Sequence, residues 1–234
     1  MKILRFKNFD EMSRAAADQI IGSLKEKPNL VMCLATGASP ARTYEFLVQA
    51  QREKRADFSK CTAVKLDEWG SLAPEHPATC EHYLQKHFIE PLNFSEDRYI
   101  SFRGDATDPQ AECKQVQKQI EDIGGIDLCI LGLGLNGHLG LNEPAEFLQP
   151  GVHVAQLTAE TQSHQMIGST ETKPSFGITL GMADLLNSGE IIMLISGARK
   201  KEQQKRFFEA RIDTSFPASF LHLHRNVAVF TDIE

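Results

Sequence analysis

"IDLCILGLGLNGHLGLNEP" (residues 126–144) opens as an apolar run and ends in a turn crowded with glycines at 132, 134, 137 and 140. The run 126–134 is apolar at nearly every position, as in a strand covered on both faces of a sheet. "GLGLNG" (132–137) formally fits the GxGxxG pattern after a strand. A dinucleotide fingerprint would open a helix at once. Here "HLGLNEP" follows, and Pro144 opposes a regular helix through this stretch. The stretch therefore reads as a buried strand that delivers a polar turn to the edge of a sheet, with dinucleotide binding set aside.

Working outward, further apolar runs read as strands: 30–35, 62–69, 98–102, 190–196 and 226–232. Helical stretches separate them, at 9–24, 39–54, 78–88, 108–123 and 198–210. In the first, Phe9, Met12, Ala16, Ile20 and Leu24 fall on one stripe at helical spacing. Strand alternating with helix predicts an α/β fold: a doubly wound, mostly parallel sheet flanked by helices, Rossmann-like without dinucleotide binding. No linker, repeat or low-complexity tract interrupts it, so residues 1–234 read as a single domain.

Composition narrows the function. The formal net charge of −6 argues against a general nucleic-acid binder, which presents a basic face. It leaves room for an anionic small molecule, because a site needs only local positive charge. No stretch approaches a membrane span, and the start "MKILRFKNFDEM" lacks the apolar core of a signal peptide. Cysteines 33, 61, 80, 113 and 129 form no CxxC pair and read as buried free thiols of a cytoplasmic protein.

Ligands of doubly wound sheets bind beyond the carboxyl ends of the strands. Four stretches are expected to meet there. "TGAS" places Thr36, Gly37, Ala38 and Ser39 at a helix start, where unpaired N–H groups favour a phosphate. Taken alone it also fits an ordinary serine cap. "GARK" (197–200) brings Lys200 to a second helix start, as a phosphate ligand or as one more solvated lysine. "KLDEW" ends a strand with two carboxylates; alternation sends at most one into a given cleft, and Asp67 is the candidate general base. In the opening stretch only His138 moves protons near neutral pH, with Glu143 placed to orient it and Asn136 to hydrogen-bond nearby.

These residues resemble the glucosamine-6-phosphate deaminase/isomerase family. "LATGASPARTYEFL", "KLDEWG" with "HPATCEHYL", "LGLGLNGHLGLNEP", "SGARK" and "FPASFLHLH" match it in order, from residue 34 to 224. Related 6-phosphogluconolactonases share the fold and a similar glycine–histidine turn, but "GLNEP" after His138 favours the deaminase branch. The resemblance implies a mechanism on an amino-sugar 6-phosphate. His138 would open the pyranose ring, supported by Asn136 and Glu143. Asp67 would take the C2 proton and return a proton to C1, and water would release ammonia. Residues 36–39 and Lys200 would hold the phosphate, with neither metal nor organic cofactor required. His82 and His87, five apart on a helix, share no face, and His222-x-His224 lacks a third ligand. No nucleic-acid or membrane partner is implied, while a homo-oligomer is compatible with the sequence.

The chain departs from the family at three places. Asn136 stands where many members carry aspartate. The covering stretch 158–174 has no arginine. The segment after "NEPA" lacks the basic residues that bind an effector in regulated bacterial enzymes. "TQSHQMIG" (161–168) and "KPSFGITLGMADLL" (173–186) are similar to galactosamine-6-phosphate isomerase-type members. The alternatives are a sugar-phosphate lactonase, which needs no base at C2, and a non-catalytic sugar-phosphate sensor. Residues 1–29 leave too little chain for the DNA-binding domain that a regulator would carry.

Overall fold

The computed structural model describes residues 1–163, 165–168, 170 and 173–234. The chain begins β1 (Lys2–Arg5), α1 (Phe9–Glu26), β2 (Val31–Leu34), α2 (Ala38–Arg52), β3 (Thr62–Lys65) and β4 (Asp67–Trp69). It continues α3 (Cys80–Leu84), β5 (Tyr99–Ile100), α4 (Pro109–Asp122), β6 (Leu128–Gly132), β7 (His153–Gln156) and β8 (Phe176–Thr179). The last elements are α5 (Met182–Leu186), β9 (Glu190–Ile195), α6 (Lys201–Phe208) and β10 (Val227–Thr231). Among the described residues, seven strands form one parallel sheet in the order β1-β10-β9-β6-β2-β3-β5.

Alternate residues of the central strands serve two separate cores. Met32, Leu34, Ile130, Ile192, Leu194 and Phe230 face α1 and α2. Cys33, Cys129, Leu131, Ile191, Met193 and Val229 face the other way, toward α4, α5 and α6. Both faces are dry, so the strands are apolar without alternation. Each fully buried aliphatic side chain contributes roughly 1.5–3 kcal/mol. The predicted stripe of α1 is buried at Met12, Ala16, Ile20 and Leu24, and Asn8 caps that helix by accepting from Glu11 N. Asp108 caps α4 in the same way, with Pro109 in its first turn.

The structure corrects the predicted strand 62–69, which belongs to two sheets. Leu66 is the joint: its N–H bonds Leu34 O in the parallel sheet, while its carbonyl accepts from Leu180 N. Beyond it, β4 enters a three-stranded antiparallel sheet of order β4-β8-β7, pairing Asp67 with Thr179. The four-residue strands β1, β7 and β8 are additions to the sequence-based expectation. The predicted helix 78–88 is a short α-helix that widens into a π-turn at Gln85–Ile89. The predicted helix 198–210 starts as a 3-10 turn, Ala198–Lys200, before α6. Strand 98–102 shrinks to Tyr99–Ile100, and the strand from 126 closes at Gly132.

Candidate active site

The two carboxylates of "KLDEW" divide their work. Glu68 accepts from the backbone N–H groups of Trp69 (2.8 Å), Cys80 (2.9 Å) and Glu81 (2.8 Å), and from Lys65 Nζ (2.8 Å). It thereby fastens the start of α3 to β4. Lys65, with no exposed surface, also donates to Glu81 Oε2 at 2.6 Å and to Phe102 O at 2.8 Å. Glu68 is therefore fully engaged inside the fold. Asp67, its neighbour in the strand, is buried with Cys80 Sγ donating toward Oδ1 at 3.9 Å. Burial, reinforced by the charge of Glu68, pushes the Asp67 carboxyl up to about 7.

The turn after β6 explains its glycines by close approach. A Cβ on Gly134 would lie 2.4 Å from the His138 ring. Gly137 has φ +88°, and a Cβ there would meet the Phe216 ring at 2.1 Å. Asn136 is held at both ends: Oδ1 accepts from His138 N at 3.1 Å, and Nδ2 donates to Glu143 Oε2 at 2.7 Å. An isolated bridge between Leu139 and Asn142 folds the chain back so that Glu143 returns to the histidine. Glu143 Oε2 lies 3.8 Å from His138 Nδ1, beyond hydrogen-bond length. At that distance the two side chains form an ion pair when the imidazole is protonated, without a direct hydrogen bond. Thr158 Oγ1 instead donates to Glu143 Oε2 at 3.3 Å, and Thr161 Oγ1 meets His138 Nδ1 at 3.4 Å.

The predicted phosphate seat lies at the start of α2. Gly37, with φ +94°, occupies the cap position, and no side chain caps the helix. Ser39 sits inside the first turn, which overturns the ordinary serine-cap alternative. Two tyrosines hold the carbonyls of the turn: Tyr44 OH donates to Ala35 O at 2.7 Å and Tyr83 OH to Gly37 O at 2.8 Å. Lys200 crosses from the far side and donates to Ser39 Oγ at 3.1 Å. It is not a solvated surface lysine; burial, with Arg199 adding repulsion, draws its ammonium down to about 8. Ser196 Oγ anchors the preceding turn to Asp232 at 2.9 Å.

Cys80 and the segment after β7 connect these parts. Thr36 Oγ1 donates to Cys80 Sγ at 3.4 Å, so Thr36 and Asp67 share one thiol. The segment that brings Thr161 to His138 also brings Met166 to Thr36, at 3.8 Å. Residues 164, 169, 171 and 172 of the arginine-free stretch 158–174 lie outside the described residues, and so does His164 of "TQSHQMIG". Of the other histidines named from sequence, His222 and His224 bond to backbone, His222 Nε2 to Phe207 O at 2.7 Å and His224 Nε2 to Ser188 O at 2.8 Å, while His87 lies against the Tyr83 ring.

A buried carboxylate, a glycine-held histidine and a lysine-covered helix start now stand at one sheet edge. A family model described as glucosamine-6-phosphate isomerases/6-phosphogluconolactonase matches residues 7–230. The chain belongs to this family. Within it, the chain is similar to AgaI, a proposed deaminase of Escherichia coli (strain K12), with 46% identity over 94% of this chain and 87% of the relative. It is 36% identical to the glucosamine-6-phosphate deaminase of Thermoanaerobacter sp. (strain X514), over 100% of this chain and 93% of that one. A solved monomeric glucosamine-6-phosphate deaminase superposes with a TM-score of 0.93 at 33% identity, covering 99% and 97% of the two chains.

Membership in the isomerase/lactonase family accounts for the fold and for the order of the motifs. The nine residues named from sequence fall into three groups: Thr36–Ser39 with Lys200, Asp67 alone, and Asn136, His138 and Glu143 together. Sequence reasoning missed Lys65, Cys80, Tyr83, Thr158 and Thr161. Each reaches the site through a contact across the fold, and the quoted motif "HPATCEHYL" already contained Cys80 and Tyr83.

Proposed function

We propose that the chain is an amino-sugar-6-phosphate deaminase/isomerase, acting as one domain on glucosamine or galactosamine 6-phosphate. Residues 36–39 and Lys200 bind the 6-phosphate. His138 moves the proton between the ring oxygen and O1 as the pyranose opens. Asp67 takes the proton from C2, giving the enolamine, and returns a proton to C1. Water then adds to the C2 iminium, and ammonia leaves with the ketose 6-phosphate as the other product. Proton transfers and one water balance the reaction. The residues concerned all come from one chain. The five free cysteines fit a cytoplasmic setting.

The observation that carries this reading is Asp67: a buried carboxyl with Cys80 Sγ on one oxygen, pushed up to about 7 by its burial, beside a Glu68 whose oxygens are taken by backbone N–H groups and Lys65. A general base works best when its pKa lies near the operating pH. Lactone hydrolysis removes no proton from C2 and gives such a base nothing to do. The test is ammonia release from glucosamine 6-phosphate and galactosamine 6-phosphate, run beside 6-phosphogluconolactone opening. Ammonia from either amino sugar supports the reading, and the ratio of kcat/KM for the two identifies the C4 epimer used. Lactone opening without ammonia release overturns it.

A further inference from the structure

We infer that Thr158 and Thr161 are positioning residues that fix the tautomer of His138 through a directed chain of hydroxyls to Glu143. The inference rests on the proton-transfer role given above to His138. Four contacts define the chain. His138 Nδ1 lies 3.4 Å from Thr161 Oγ1, which lies 3.3 Å from Thr158 Oγ1, which lies 3.3 Å from Glu143 Oε2. Thr161 N also donates to Thr158 Oγ1 at 3.3 Å, setting the two hydroxyls side by side. Thr161 is buried, and the Glu143 side chain is 8% exposed.

The direction of the chain follows from proton counting. An ionised carboxylate only accepts, and a hydroxyl has one proton to give. Thr158 Oγ1 lies within donor reach of both Thr161 Oγ1 and Glu143 Oε2 but has a single proton; the carboxylate is the stronger acceptor and takes it, so the Thr158–Thr161 bond turns round and Thr158 accepts from Thr161. Thr161, having donated to Thr158, accepts from the histidine. His138 then carries its proton on Nδ1, which leaves the lone pair on Nε2. That is the nitrogen with which the ring receives a proton from the sugar. Asn136 anchors the far end, because its Nδ2 donates to the same Glu143 oxygen at 2.7 Å. The links are long for O–H···O bonds, and catalytic hydrogen bonds commonly tighten in the Michaelis complex.

Both hydroxyls belong to the segment that leaves β7, with Thr161 opening its 3-10 turn, Thr161–Ser163. The orientation of the histidine thus depends on residues 20 and 23 positions downstream of it, in a segment that leaves a strand of a different sheet from the strand that delivers the histidine.

The experiment is imidazole 15N spectroscopy of the full chain, labelled at histidine and assigned with His138→Gln, together with steady-state kinetics. The wild type is expected to show the Nδ1–H tautomer at His138. Thr161→Val and Thr158→Val should each give a tautomer mixture, with kcat lower by roughly 10- to 100-fold, part of what a positioned acid–base group supplies. KM should stay within about twofold, since neither hydroxyl is assigned to phosphate binding. Thr161→Ser should restore both the tautomer and kcat. An Nε2–H tautomer in the wild type overturns the inference, as does an unchanged tautomer and kcat in a folded Thr161→Val. If that variant fails to fold, Thr158→Val tests the chain from its other end, and an unchanged tautomer and kcat there overturns the inference equally. The tautomer readout needs no substrate. A wild type that releases no ammonia yet shows the serine-rescued Nδ1–H state would therefore sink the assigned reaction and support the relay.

Discussion

Asp67, pushed up to about 7, and Lys200, drawn down to about 8, leave a narrow pH window in which the base is ionised and the lysine charged. The free-enzyme profile, kcat/KM, should rise through the first value and fall through the second. In kcat the alkaline limb should move upward, because a bound phosphate holds the Lys200 proton. A profile flat through both values would remove these groups from their roles. Asp67→Asn should slow exchange of the C2 hydrogen with solvent by roughly 10²–10⁴-fold while phosphate binding persists. The same variant has a stability signature. A carboxyl raised in the folded state stabilises fully below its unfolded value, and that contribution is lost as pH rises through about 7. In urea titrations Asp67→Asn should therefore gain on the wild type from acid to neutral pH, and gain no further above. Lys200→Ala should raise KM by about 10- to 100-fold, the worth of a charge-assisted hydrogen bond, and change kcat less. At this scale much was legible in the sequence. Strand alternation allowed at most one of the two carboxylates into a given cleft, the place of Asp67 just after Leu66 favoured it, and the glycine turn pointed to His138. Thr158 and Thr161 were not legible, because a hydroxyl is common and only the fold brings these two to the histidine.

Elements set where those residues stand. The start of α3 is held by Glu68, whose two oxygens take three backbone donors and Lys65. Removing Glu68 takes the shared acceptor from three buried backbone N–H groups and one of two carboxylates from the buried Lys65, which keeps Glu81, at a cost of about 3–5 kcal/mol. Glu68→Ala should lower the denaturant midpoint accordingly, and the loss should exceed that from any exposed ion pair such as Arg42–Asp10. A midpoint unchanged in Glu68→Ala would refute the clamp. The helices were legible because their stripes and caps are local patterns. The switch of sheet at Leu66 was not. Residues 62–69 keep a strand-like composition throughout, and nothing within them records that Leu66 bonds Leu34 on one side and Leu180 on the other. The strands β7 and β8 are four residues each, too short for periodicity to separate from loop.

For the molecule as a whole, the sequence from Ala145 to Thr172 carries Glu146, Glu160 and Glu171 with His153 and His164, but no lysine or arginine. An effector phosphate would find no cationic partner there, and coupling between sites requires differential binding to two states. Substrate saturation should be hyperbolic, with no response to N-acetylated amino-sugar 6-phosphates. A sigmoidal curve made hyperbolic by the acetylated compound would reveal an effector site elsewhere. The overall architecture was the most legible feature of all, because parallel strands buried on both faces leave a recurring apolar rhythm along the chain.

The joint at Leu66 has one more consequence. Asp67 begins β4, it pairs with Thr179 of β8, Thr179 pairs with His153 of β7, and β7 runs on to Thr158 and Thr161. The groups proposed to handle protons are thus divided: Asp67 and the two threonines follow the small antiparallel sheet, while His138, Asn136 and Glu143 follow β6 of the large one. The phosphate seat belongs to the large one, at the ends of β2 and β9. The proposed phosphate seat thus draws on one sheet, while the proposed proton transfers draw on both. The segment after β7 touches both, with Thr161 against His138 and Met166 against Thr36, so a change in its placement would be felt at the proposed chemistry and at the proposed phosphate seat together.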